Sequence, residues 1–233
     1  TEVGEEVGYF KGYIVDGIYQ SDSDVDLEFQ PNAKAGDFKF RDINNDGVLT
    51  DEDKTKIGSP WPNFTYGANI DLEYKGFDFN LSITGVSGND IFNANKINTY
   101  PMKYFGGSGV VNASKNILNR WTPGSGRNEI PRLIYNDANG NYGNSSTFYV
   151  EDGSFMRIRN ITLGYTIPKN IITTQIVTSC RLYISIQNLF TFTNYSGFDP
   201  EISTNGNSNG SPSVDRNSAP MARTFSFGLN LSL

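Results

Sequence analysis

The chain contains no histidine and a single cysteine, Cys180. The first absence removes Ser-His-Asp and Cys-His nucleophile systems and every His-bearing zinc site; the second removes disulfides and cysteine-ligated metal clusters. Positive charge is also scarce. Nineteen Lys and Arg stand against 25 Asp and Glu, and a net charge of −6 argues against a nucleic-acid binder driven by electrostatics. No apolar run approaches the ~20 residues of a membrane-spanning helix, which excludes helical membrane proteins but not a membrane β-barrel, whose strands are short and alternating. An enzyme made of these residues would run on carboxylates, Lys, Tyr or a bound cofactor. No initiator Met and no apolar leader open the chain, so the expectation is a piece of a longer protein.

What is abundant points to strands and polar turns. Aromatics reach 13%, with 24 Gly and 27 Asn, while the hydrophobic share is only 37%; the class is all-β. Phe64, Tyr66, Ala68, Ile70, Leu72 and Tyr74 alternate with Thr65, Gly67, Asn69, Asp71 and Glu73. After Lys75-Gly76 the alternation restarts with Phe77, Phe79, Leu81 and Ile83, a hairpin signature. A third strand covers 155–167 with ambiguous parity, because Arg157 and Arg159 share the face of Ile161, Leu163, Tyr165 and Ile167. Either the arginines lie beyond the apolar zone or a bulge flips the register. Leu182, Ile184, Ile186, Phe190 and Phe192 line a fourth strand, with Asn188 as a polar intruder. Phe225, Phe227, Leu229, Leu231 and Leu233 line a fifth. Between these lie residues 85–153, with a short helix predicted over Val111 to Trp121, and 195–220, of low complexity and read as a long flexible loop.

Residues 42–53 fit the twelve-position calcium loop. Asp42, Asn44 and Asp46 supply side-chain oxygens at positions one, three and five; Gly47 allows the sharp turn, the Val48 carbonyl adds a ligand, and Asp53 closes at twelve, where Glu is usual. Dockerin-type calcium loops resemble it in that respect. Residues 20–53 hold ten acids and three bases, a local charge of −7 that would repel itself without a counter-ion. The predicted Ca²⁺ is structural, since no activated nucleophile is near; an acidic solvated turn is the plainer alternative. Gly106-Gly107-Ser108-Gly109 lacks the Lys-Ser/Thr of a phosphate cradle. Paired acids such as Asp51/Glu52 and Glu151/Asp152 read as loop composition rather than glycosidase carboxylates. Trp61, Tyr100, Tyr104 and Trp121 are candidate substrate contacts that could stack on sugar rings or could simply anchor their loops.

Several further segments carry a resemblance. Ile57-Gly58-Ser59-Pro60-Trp61-Pro62-Asn63-Phe64-Thr65-Tyr66-Gly67, Tyr74-Lys75-Gly76-Phe77-Asp78, Arg120-Trp121-Thr122-Pro123, Glu151-Asp152-Gly153-Ser154-Phe155-Met156-Arg157, Leu163-Gly164-Tyr165-Thr166-Ile167-Pro168, Asn188-Leu189-Phe190, Gly197-Phe198-Asp199-Pro200-Glu201 and Arg223-Thr224-Phe225 follow in order along the chain. Jointly they resemble the C-terminal part of SusC/RagA-type TonB-dependent outer-membrane transporters of Bacteroidetes. The terminal Leu233 departs from the aromatic residue usual there. The resemblance implies the last quarter or so of a 22-stranded barrel around a plug, with the TonB-contacting segment upstream. It also implies a SusD-like lipoprotein partner, an oligosaccharide or peptide substrate, outer-membrane lipid around the strands, and no enzymatic activity.

The expected fold is thus an antiparallel transmembrane barrel segment of five strands: Phe64–Tyr74, Phe77–Thr84, Arg157–Ile167, Arg181–Phe192 and Thr224–Leu233. Residues 1–62 form an extracellular region with the calcium loop; 63–233 hold the strands and two extracellular loops, 85–154 and 194–222. Short and long connections alternate, as in outer-membrane barrels. The rival reading is a secreted, calcium-stabilised β-sandwich that binds carbohydrate, in which the apolar stripes would face a second sheet.

Overall fold

The computed structural model describes residues 3–101, 112–172, 176–202 and 212–233, and among them the regular structure is nearly all strand. The chain divides into two compact units. One, the loop unit, comprises Thr1–Pro60, Asp90–Glu151 and Ile202–Ser218; the other, the sheet unit, comprises Trp61–Asn89, Asp152–Glu201 and Ala219–Leu233.

In chain order the first strands are β1 (Phe10–Gly12), β2 (Val15–Ile18), β3 (Phe38–Phe40) and β4 (Thr55–Gly58). The long hairpin β5 (Phe64–Tyr74) and β6 (Phe77–Ser87) follows, then β7 (Asp90–Asn93), the short helix α1 (Asn95–Thr99) and β8 (Val150–Asp152). The last four are β9 (Phe155–Thr166), β10 (Ser179–Thr193), β11 (Val214–Asp215) and β12 (Thr224–Ser232).

The sheet unit is one antiparallel sheet in the order β12-β10-β9-β6-β5, open at both edges. Its five strands are those expected from alternation, longer at several ends. Lys75 and Gly76 both adopt positive φ, 49° and 88°, the paired left-handed turn whose twist suits a two-residue hairpin. Pairing runs unbroken between β5 and β6 and between β10 and β12. One apolar row crosses all five strands through Leu72, Phe79, Leu163, Ile184 and Phe227, and the neighbouring polar row runs through Asp71, Asn80, Thr162, Ser185 and Ser226.

The ambiguous parity of β9 is settled by a bulge. Asn160 pairs with Ser82 and Ile158 with the very next residue, Ile83, so Arg159 is the extra residue. Against β10 the same slip sets Asn160 opposite Gln187 and Ile158 opposite Phe190. The flip places Ile158 and Met156 with the apolar residues and moves Arg157 opposite Thr84 and Thr191 on the polar face.

The described residues of the loop unit hold more regular structure than its composition suggested. Strand β1 pairs antiparallel with β4, and β2 with β3. Strand β11 pairs in parallel with β7, so part of the segment expected to be a flexible loop adds to a small sheet β11-β7-β8. The helix expected from Val111 to Trp121 is instead a 3₁₀ turn at Lys115–Asn119, with Val111 outside the described residues. Among the described residues two buried apolar clusters lie here. One gathers Tyr13, Ile18, Phe29, Phe38, Phe40 and Trp121; the other gathers Tyr100, Ile117, Ile130 and Tyr142.

Candidate functional site

The two faces of the sheet differ completely. On one, large apolar side chains from all five strands remain exposed, including Leu72, Tyr74, Phe77, Leu163, Leu182, Ile184, Phe225 and Leu229, with Phe227 at 78%. Monomeric soluble proteins rarely leave so broad an apolar area open to water. Tyr66 and Tyr74 stand eight residues apart on this face, ~27 Å along the strand at ~3.4 Å per residue. That spacing resembles the ~25 Å apolar band flanked by aromatic girdles of outer-membrane barrels.

The other face is knitted by polar side chains. Asn80 donates to Asp71 at 2.6 Å and Asn160 to Asn80 at 3.0 Å; Thr162 donates to Ser185, which donates back to Asn160, each at 3.0 Å. Arg181 forms a forked pair with Asp78. Gly228 makes room for its cross-strand partner Tyr183, whose ring carbon lies 2.1 Å from where a Cβ would stand.

Towards the end of the sheet opposite the Lys75-Gly76 turn, the polar face holds a compact ion cluster. Arg157, 1% exposed, donates to Asp199 at 2.5 Å, to Glu201 at 3.0 Å and to Thr191 at 2.8 Å. Arg159 donates to Glu201 at 2.5 Å and to Thr84 at 2.9 Å. From the sequence, the two arginines were only a parity problem. Their partners lie about 40 residues on, in a segment whose pairing no local pattern reports.

The calcium-loop residues occupy a tight turn with Asn45 and Gly47 at φ 60° and 77°. Asp42 accepts from the backbone of Asn45 and Gly47, at 2.7 and 3.0 Å, and Asp46 accepts from that of Val48 at 2.8 Å. Asn44 donates to Asp46 at 2.8 Å. Asp53 is fully buried, its two oxygens accepting from Ile43 and Thr50. Among the described residues no three acidic side chains stand close enough to hold a metal by themselves. The predicted donor set also draws on the Asn44 amide oxygen and the Val48 carbonyl, and every member is a hard oxygen suited to Ca²⁺. Within the same twelve residues, the Asp51 carboxyl is held below the usual carboxylate range by a hydrogen bond from Lys54.

Of the aromatic candidates, Trp121 and Tyr100 are core residues, each 6% exposed, and Trp121 donates its indole N–H to Gln20 at 3.1 Å. Their positions are those of loop anchors. Trp61 is 51% exposed, and Tyr104 lies outside the described residues. Burial also pushes the Tyr142 and Tyr149 phenols far above their ordinary pKa, as expected of neutral core hydroxyls.

Known proteins are similar to the chain in sequence and in fold. The TonB-dependent receptor P3 of Formosa agariphila is 34% identical over 98% of the chain, which spans 22% of that protein. The TonB-dependent receptor SusC of Bacteroides thetaiotaomicron is 28% identical over 87% of the chain. The chain is SusC/RagA-like over nearly its whole length. Solved structures of the RagAB peptide importer match its fold, with a TM-score of 0.72 over 97% of the chain at 24% identity for the open-open state and 0.70 for the closed-closed state. The SusC/RagA-like chain spans about a fifth of the length of the curated relatives it matches. No protein-family model matches it.

Proposed function

We propose that this chain is the C-terminal part of a TonB-dependent outer-membrane transporter that imports oligosaccharides or peptides together with a SusD-like lipoprotein. The observation that carries the reading is the exposed apolar face of the five-stranded sheet, backed by a hydrogen-bonded polar face. In a barrel, lipid covers the first and the aqueous or plug-filled interior meets the second. Both free edges, β5 and β12, are then paired with strands of the remaining barrel, which removes the cost of unpaired backbone in lipid. The sandwich reading is disfavoured, because a sandwich would bury that apolar face.

The Lys75-Gly76 turn and the 168–178 connector are assigned to the periplasm, and residues 1–62, 85–154 and 194–222 to the outside. TonB acts through upstream segments, and the outward loops, with Trp61 among their exposed aromatics, contribute the contacts to substrate and lipoprotein. The chain carries no catalytic role in this scheme. Ca²⁺, held by Asp42, Asn44, Asp46, the Val48 carbonyl and Asp53, supplies positive charge that stiffens the acidic loop, and extracellular calcium is concentrated enough to fill even a weak site.

Cysteine labelling in intact cells tests the topology. In the full-length protein with Cys180→Ser, an impermeant maleimide should label Ala219→Cys and spare Lys75→Cys. The reverse pattern, or a secreted soluble product, would overturn the assignment. Calcium is tested separately by terbium luminescence at the loop: binding should be lost in Asp46→Ala while the barrel still assembles, and equal signal in both proteins would remove the ion from the account.

A further inference from the structure

The five-stranded sheet is regular except at one level, where β9 slips against both neighbours. Arg159 is extra against β6, and Asn188 and Leu189 together oppose it on β10. Asn188 takes a left-handed φ of 53°, which Asn tolerates better than most residues. Simple alternation from Ile161 would leave Arg157 and Arg159 on the apolar face. The bulge instead brings both guanidinium groups to the polar face, where each touches a threonine of a flanking strand.

What the arginines hold there comes from the loop between β10 and β12. Asp199 and Glu201 belong to its outgoing arm, and Met221 and Ala222 to its returning arm. Asp199 accepts from Arg157 and from the backbone N–H of Glu201 through one oxygen, and from the backbone N–H of Met221 at 3.1 Å through the other. Arg157 also donates to the Met221 sulfur at 2.9 Å, and the Asn188 amide donates to the Ala222 carbonyl at 3.1 Å. Two cations meet two anions, so the cluster is neutral, and each buried charge has a partner.

We propose that this bulged cluster is a latch: Arg157 and Arg159, turned to the polar face by the register slip, fix both arms of the β10–β12 loop to the sheet through Asp199, Glu201 and Met221. Asp199, nearly buried and bonded to both arms, is its pin. Glu201 bridges the two arginines from a more exposed position and is the weaker tie. The planar fork of Arg157 is required, because four acceptors surround it in fixed directions and an ammonium cannot reach them together. The bulge is a positioning device for loop arms, in keeping with the recurrence of bulges where a side chain must be re-aimed.

Hydrogen exchange on the complete protein in detergent reads the latch independently of transport. Arg157→Lys and Asp199→Asn should each raise amide exchange in peptides covering 195–202 and 219–223 at least tenfold, and Glu201→Gln about threefold. Exchange in 180–187 and 225–231 should not change. As a control, Arg181→Met removes the other arginine pair of the same face and should leave the loop arms at the wild-type rate. Should the Arg157 variant fail to assemble, Glu201→Gln alone decides, since it leaves every strand residue in place. Native exchange in the arms of Arg157→Lys or Glu201→Gln would overturn the latch, as would a parallel rise in arms and strands.

Discussion

Asp37 is fully buried in the loop unit, and its carboxylate is answered by a forked pair from Arg132 at 2.7 and 3.0 Å and by the Asn141 amide at 2.8 Å. Its hydrogen bonds in turn hold the Arg132 guanidinium above its ordinary pKa. Removing one member of a buried pair leaves an uncompensated charge, so Arg132→Met should destabilise the loop unit by about 3 kcal/mol or more. Faster proteolytic nicking within 122–146 measures it, and adding Asp37→Leu should recover much of the loss. Asp51 behaves differently because it is exposed. Its carboxyl is depressed by Lys54, so the contact contributes above the ordinary carboxylate pKa and is lost as pH falls through the lowered folded value. In Asp51→Asn, chemical-shift changes at Lys54 in that acid range should vanish.

Single strands obey rules that alternation alone expresses. In β12, Leu229 lies on the exposed apolar face beside Leu182, whereas Ser226 lies on the polar face beside Ser185. In a lipid-facing strand, Leu229→Arg should cost about 2 to 4 kcal/mol and Ser226→Arg far less. Insertion of the two full-length variants into outer membrane checks this, and equal tolerance would count against the lipid-facing assignment. The hairpin turn has its own requirement. A Cβ at Gly76 would stand 2.8 Å from the Thr166 carbonyl, and the residue is at φ 88°. Gly76→Val should therefore destabilise the β5–β6 pair by at least about 1 to 2 kcal/mol, seen as faster exchange at Leu72 and Phe79.

At the scale of the molecule, apolar burial and apolar exposure are segregated. Among the described residues the buried clusters belong to the loop unit, and the sheet unit leaves most of its large apolar side chains exposed, Phe155 and Tyr195 being buried exceptions. The proposed transporter reading requires this division, with lipid on one side of the sheet and water on the other. The two long connections are also joined, since the Phe92 backbone N–H donates to the Ser213 carbonyl at 3.0 Å and β11 pairs with β7. Deleting residues 203–213 therefore removes a tie between loops as well as polar sequence. We expect altered uptake or lipoprotein docking with barrel assembly intact; unchanged transport and docking would assign the loop no functional share.

The strands, their faces and the hairpin were legible in sequence because they depend on near neighbours: a period of two sorts residues onto faces, and Lys75-Gly76 admits one kind of turn. The acidic turn at 42–48 was legible for the same reason, because the bonds from backbone N–H groups to Asp42 and Asp46 that close it are local. Tertiary structure alone decided the fate of Trp121 and Tyr100, which composition left between substrate contact and anchor, because burial depends on what distant segments bring alongside. It alone decided the parity of β9. Whether Arg157 faces the apolar or the polar side turns on a slip of one residue, and the acids it meets there, Asp199 and Glu201, come from a segment whose place beside it follows from the path of the chain rather than from any pattern in the strand itself.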